Sequence, residues 1–249
     1  MDMHSLSTRT LMHSGSAVET RRWGELKRGG KHALPVIIGL VPLALVLGAQ
    51  ASQKGMSIAE VSLMTALNYA GGSEFAAVEL WSSSPDIALI VAMTFLINSR
   101  HIVMGATLAP LLKHLPYRKT VPALFFMCDE SWAMGLTDTR SSSRPLSFSF
   151  HYYLGVALLL WFNWVAFTSV GALIGPALSD IRGWGFDMVF PAVFLVLMRG
   201  MCRGRSSALP WVTSLLVALG AWLWLPQGWY VPAGATGGLL VAYLSGGER

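Results

Sequence analysis

SSALPWVTSLLVALGAWLWLPQGWYVPAGATGGLLVAYLSGG, residues 206–247, contains no Asp, Glu, Lys or Arg over 42 positions. Roughly 20 predominantly apolar residues carry a helix across a bilayer, so this run is long enough for two crossings. It splits at Pro226-Gln227-Gly228 into candidate helices Leu209–Leu225 and Tyr230–Leu244. A second charge-free run covers residues 145–179. Across all 249 residues only 12% are charged, against about 25% in soluble domains. A disordered chain and a cytosolic enzyme are both excluded. The sequence specifies an all-α integral membrane protein with about seven or eight transmembrane helices.

Working outward, further apolar segments fall at Leu34–Ala51, Ile58–Trp81, Asp86–Leu112, Val121–Leu136, Tyr152–Leu173 and Phe186–Met198. Residues 1–33 form a basic arm carrying six Lys or Arg, and residues 34–249 a single membrane domain. The run after Arg21-Arg22 is longer than a usual signal core and contains Pro35 and Pro42, so an uncleaved first helix is expected. With eight crossings and both termini inside, twelve Lys and Arg fall on the cytoplasmic side and five on the other, which places the N-terminus in the cytoplasm. Trp81, Trp184, Trp211 and Trp229 fall near segment ends, where aromatic anchors sit. The net charge of +5 is concentrated at segment ends, so nucleic acid is not an expected partner. Cys128 and Cys202 are read as buried thiols.

Ionisable groups inside a bilayer are costly and face a bundle interior or a water-filled path. Four stretches carry them here. In Asn68-Tyr69-Ala70-Gly71-Gly72-Ser73-Glu74-Phe75, two adjacent glycines permit unwinding, and a half-helix starting near Ser73 would aim its amides at an anion such as a carboxylate. Close helix packing through small residues is the competing reading. In Asn98-Ser99-Arg100-His101, the first and last residues share a helical face with Gly105, and Arg100 is expected to meet a carboxylate. Asp129-Glu130 either relay protons or partner Arg100. Gly183-Trp184-Gly185-Phe186-Asp187 opens a segment containing Pro191, and its glycine–acid start resembles Gly72-Ser73-Glu74-Phe75. Paired broken segments in two halves point to a transporter's binding site. An inverted repeat with broken helices is therefore expected, with halves near 34–115 and 150–225.

Enzyme chemistry has little to stand on. There is no His-Glu-x-x-His metal motif, no Gly-x-Ser-x-Gly nucleophile elbow and no P-loop. No metal and no cofactor are expected.

The same four stretches resemble the AzlC-type branched-chain amino acid permease family, the large subunit of two-component bacterial exporters. The likeness covers most of the chain from Leu34 onward. It is carried by Tyr69-Ala70-Gly71-Gly72-Ser73-Glu74-Phe75, Asn98-Ser99-Arg100-His101 with Gly105, Cys128-Asp129-Glu130-Ser131, and Gly185-Phe186-Asp187 through Pro191-Ala192-Val193-Phe194. Pro42, Gly48, Gly171 and Gly175 fit as well. Glu74 departs from the Gln usual in the family, and Met104 stands where an aromatic commonly precedes the glycine. The resemblance implies secondary active export of valine, leucine or isoleucine across the bacterial inner membrane, with a small hydrophobic subunit of the AzlD type as partner. Gly71, Gly72, Ser73, Glu74, Asn98 and Asp187 are the expected substrate contacts. Arg100, His101, Asp129 and Glu130 form the expected charge or proton network, and the buried acids suggest proton exchange as the driving force. A non-catalytic membrane scaffold, or a carrier of the same fold for another small zwitterion, are the competing classes.

Overall fold

A backbone inside lipid has no water to bond, so spanning segments are helices or closed barrels. The computed structural model of this chain follows the first course. It describes residues 3–141, 148–177, 205–226 and 229–246, and among these every regular element is helical, with no strand. The helices are α1 (Met3–Gln53), α2 (Ile58–Asn68), α3 (Gly71–Leu80), α4 (Ile87–Asn98), α5 (Arg100–Leu112), α6 (Tyr117–Phe125), α7 (Asp129–Ser141), α8 (Phe150–Ile174), α9 (Arg205–Trp222) and α10 (Tyr230–Gly246). A short 3-10 turn, Gly175–Ala177, extends α8. Among the described residues three stretches are long and apolar enough to cross a membrane: Glu19–Gln53, Ile87–Leu112 and Phe150–Ala177. Ile58–Asn68 and Ala208–Trp222 are shorter apolar helices.

The distribution of side chains is that of a membrane protein. Phe95, Ile102 and Leu215 are 74%, 74% and 69% exposed, whereas Thr65, Ser73, Glu74, Ser131 and Thr168 are fully buried. Apolar groups outside and polar groups inside suit a protein whose solvent is hydrocarbon.

Several boundaries differ from those read in the sequence. Helix α1 runs without interruption from the basic arm into the first apolar segment, through Pro35 and Pro42. One of the arm's charges is held by partners: Arg28 donates to Asp138 of α7 at 2.7 and 3.1 Å and to Glu25 at 2.7 Å. Its guanidinium also lies 4.2 Å from the Tyr152 ring centroid. The segment expected at 121–136 is two helices, α6 and α7, separated at Phe126-Met127-Cys128, and α7 continues to Ser141. The expected helix Phe186–Met198, with Gly185 and Asp187, lies outside the described residues.

The chain divides into two compact units. One comprises Met1–Ala44, Ser62–Tyr69 and Arg100–Thr168, the other Leu45–Val61, Ala70–Ser99 and Ser169–Arg249. In the first unit Met104, Leu108 and Leu112 of α5 pack with Ala123, Met127, Tyr153 and Ala157. A second cluster joins Ala33 of α1 to Tyr152, Val156 and Leu160 of α8. The two helices approach closely there, since a Cβ added at Gly155 would meet the Leu26 carbonyl. In the second unit α9 and α10 pack against each other, as do α3 and α4.

Gly155→Ala forces α1 away from α8 and is expected to destabilise by about 1–3 kcal/mol, the usual cost of overpacking. Gly220→Ala in α9 meets nothing within 4 Å and gains helix propensity, so it should leave stability unchanged or slightly raised. Thermal unfolding of the two purified variants in detergent checks the contrast.

Candidate functional site

Two helix breaks dominate the described interior. The first separates α2 from α3. Tyr69 adopts a positive φ of 45°, which few residues other than glycine accept, and Ala70 is the N-cap of α3 with φ −148° and ψ 82°. The break therefore falls just ahead of Gly71-Gly72, and both glycines lie in the first turn of α3 instead of in the unwound stretch. In a continuous helix the Ala70 N–H would donate to the Ala66 carbonyl four residues back. Here that bond is absent, and each half has another partner. The Ala70 N–H donates to Glu74 Oε1 at 3.0 Å, and the Ala66 carbonyl accepts from Trp161 Nε1 of α8 at 3.0 Å. The Ser73 amide and hydroxyl both donate to the Ala70 carbonyl, each at 2.9 Å.

The second break separates α6 from α7, and its released carbonyl is likewise met from α8. A continuous helix would pair the Met127 N–H with the Ala123 carbonyl. Instead Met127 donates to Leu124 at 3.3 Å, and the released Ala123 carbonyl accepts from the Tyr153 hydroxyl of α8 at 2.9 Å. On the far side the Cys128 N–H donates to Ser131 Oγ at 2.9 Å. Glu74 and Ser131 thus reach back to the amide at the start of their own helices, in the manner of a capping box. The breaks also touch, because the Tyr69 hydroxyl donates to Cys128 Sγ at 3.3 Å.

The expected site residues fall into these surroundings unevenly. Gly71, Gly72, Ser73 and Glu74 form the first turn of α3, with Ser73 and Glu74 fully buried. Glu74 is committed at one oxygen to its own helix. Asn98 ends α4, and the Ser99 N–H still donates to the Phe95 carbonyl at 2.9 Å, so the hydrogen-bond ladder continues across that junction. Arg100 pairs with Asp129 at 2.8 Å, their side chains 38% and 48% exposed. Of the two roles open for Asp129, this geometry supplies the pairing. His101 and Glu130 are half-buried in α5 and α7, and Asp187 lies outside the described residues. Among the described residues no cluster of His, Cys, Asp or Glu is arranged to hold a metal ion.

Trp161, Tyr153 and Ser131 were missed in the sequence. A signal was available for the first. Trp and Tyr with a buried polar tip require a hydrogen-bond partner; Trp161 stands in the middle of an apolar span, whereas Tyr153 stands at its start, where an interfacial anchor is the ordinary reading. Ser131 was marked only as part of the Cys128–Ser131 stretch that carries the resemblance, with no role attached.

Residues 35–178 match the family model described as AzlC protein. The chain is 25% identical over 195 residues to "Inner membrane protein YgaZ" of Escherichia coli K12, covering 76% of this chain and 77% of that protein. It is 29% identical over 181 residues to an "Uncharacterized membrane protein" of Archaeoglobus fulgidus, covering 72% and 77%. Over 177 residues it is 25% identical to "Branched-chain amino acid transport protein AzlC" of Bacillus subtilis 168, covering 70% and 67%. No solved structure matches the chain.

The cap at Ala70 makes a graded prediction. Glu74→Ala leaves a buried N–H without its acceptor and is expected to cost about 1–3 kcal/mol. Glu74→Gln retains a carbonyl oxygen at that place and should cost less. Melting temperatures of the two purified variants give the order.

Proposed function

This chain belongs to the AzlC family of membrane transport proteins, and on that premise we propose that it exports branched-chain amino acids across the bacterial inner membrane. Support for the reading begins with a fully buried carboxylate, Glu74, at the start of a half-helix inside an apolar bundle. A buried acid beside unwound backbone is the kind of place where transporters hold a charged solute. An α-amino acid brings both charges: its ammonium suits Glu74 or Asp187, and its carboxylate suits amides of the Gly71–Ser73 turn. Valine, leucine and isoleucine further need an apolar wall, which a chain with 53% apolar residues supplies abundantly. Asn98 and His101 line or support the path. Arg100 and Asp129 hold each other, and Glu130 stands beside them as the candidate proton carrier.

On this reading the chain works with a small hydrophobic AzlD-type subunit, lies with its N-terminus in the cytoplasm, and catalyses no covalent chemistry. Its two halves, near 34–115 and 150–225, form the inverted repeat, and proton exchange drives export. A carrier of the same fold for another zwitterion is the second reading. It draws support from Glu74, whose charge alters the solute contact relative to the Gln usual in the resemblance.

Efflux of preloaded labelled valine from cells expressing this chain with and without the small subunit tests the proposal. Faster efflux with both together is the expected result. A panel of amino acids separates the two readings, and absence of efflux for the whole panel, with the protein confirmed in the membrane, would sink both. Glu74→Gln is expected to change the pH dependence of efflux; an unchanged profile removes Glu74 from the coupling step.

A further inference from the structure

We propose that Trp161 is a positioning residue that holds the α2–α3 break open and couples it to the α6–α7 break; as a role in transport, this rests on the reading above. The argument starts from the released pair of groups at the first break. The Ala66 carbonyl and the Ala70 N–H are each other's natural helical partners, and they are kept apart by two outside groups, Trp161 Nε1 and Glu74 Oε1. In a low-dielectric interior a carbonyl deprived of its donor is costly, and the nearest replacement is the Ala70 N–H. Taking it would re-form the helical bond, draw Ala70 away from Glu74, and return Tyr69 from positive φ to the helical region.

The Trp161 ring makes the second connection. It packs edge-on against Phe126, the first residue of the other break, with centroids 5.5 Å apart and planes at 80°. One side chain therefore donates to the backbone at one break and braces a side chain at the next. Tyr153, on the same side of α8 eight residues earlier, supplies the equivalent donor to Ala123. The Tyr69–Cys128 contact gives a third tie between the breaks, and it converts the state of the first break into an observable at Cys128.

The test uses the full-length chain in a Cys202→Ser background. Trp161→Phe removes the N–H and keeps a ring against Phe126. With the break closing, Tyr69 withdraws from Cys128, and alkylation of that thiol by N-ethylmaleimide is expected to rise about tenfold. In cells with the small subunit, the apparent KM for efflux should rise by a similar factor, with membrane abundance and melting temperature held. Glu74→Ala removes the other outside partner of the same broken bond. The double variant Trp161→Phe/Glu74→Ala should therefore be alkylated no faster than the faster single variant. Unchanged alkylation in Trp161→Phe, or additive effects in the double variant, would overturn the inference. If Trp161→Phe fails to reach the membrane, Tyr153→Phe takes its place: faster alkylation supports positioning by α8, and an unchanged rate overturns it. Altered alkylation with no efflux of any amino acid in the parent chain would leave the positioning role standing and remove the substrate assignment.

Discussion

A backbone amide and a backbone carbonyl that lose each other inside an apolar bundle must both find new partners, and the rest of this interior is arranged around that requirement. Each break releases an amide on one side and a carbonyl on the other. At the first break that amide, Ala70, is met by Glu74; at the second the Met127 amide turns to the Leu124 carbonyl and Ser131 meets the next amide, Cys128. The carbonyl is met from α8, by Trp161 or Tyr153. The local partner fixes where the new helix begins. The distant partner decides whether the old helix is free to rejoin it.

This division explains the composition of α8. As a long apolar helix it needs no polar side chains to cross a bilayer, yet Tyr153, Trp161, Asn163 and Thr168 all lie along it, three of them buried and Trp161 partly so. Thr168 illustrates the pattern again, since its hydroxyl bonds both to the Trp164 carbonyl within α8 and to Thr65 of α2. Tyr153, Trp161 and Thr168 each provide a polar tip on a helix that stays whole. A continuous element that satisfies interrupted ones is a rigid reference against which broken segments can shift, which is what a carrier requires of part of its structure.

Much of this was legible in sequence. The charge-free runs showed helices in a membrane, and the Ala70–Glu74 stretch offered an interruption, with close packing through its small residues as the competing reading. The position of the interruption was harder. Glycines suggested unwinding at Gly71-Gly72, whereas the chain bends at Tyr69, a residue that pattern reasoning places in a helix. Its positive φ is accompanied by a long-range contact to the Cys128 thiol, which no local propensity reports. The split between α6 and α7 escaped for the same reason. Pro122 stands inside α6, and the break follows at Phe126–Cys128, where no glycine or proline marks it; what maintains it is a serine three residues on and a tyrosine on another helix. Arg100 announced a carboxylate partner by its cost in lipid, and Asp129 was among the residues able to meet it.

The identity of residue 74 then bears on selectivity in a definite direction. A helix start carries about half an elementary positive charge, which a neutral cap such as Gln would leave available to a ligand's carboxylate. Glu74 brings its own carboxylate to that end and bonds the Ala70 amide with it. On the proposed reading, the anionic half of an amino acid meets competition at α3, while its ammonium gains an additional attraction. The zwitterion is then held at this break chiefly through its positive end, and the amides of the Gly71–Ser73 turn meet its carboxylate only in competition with the side chain of Glu74.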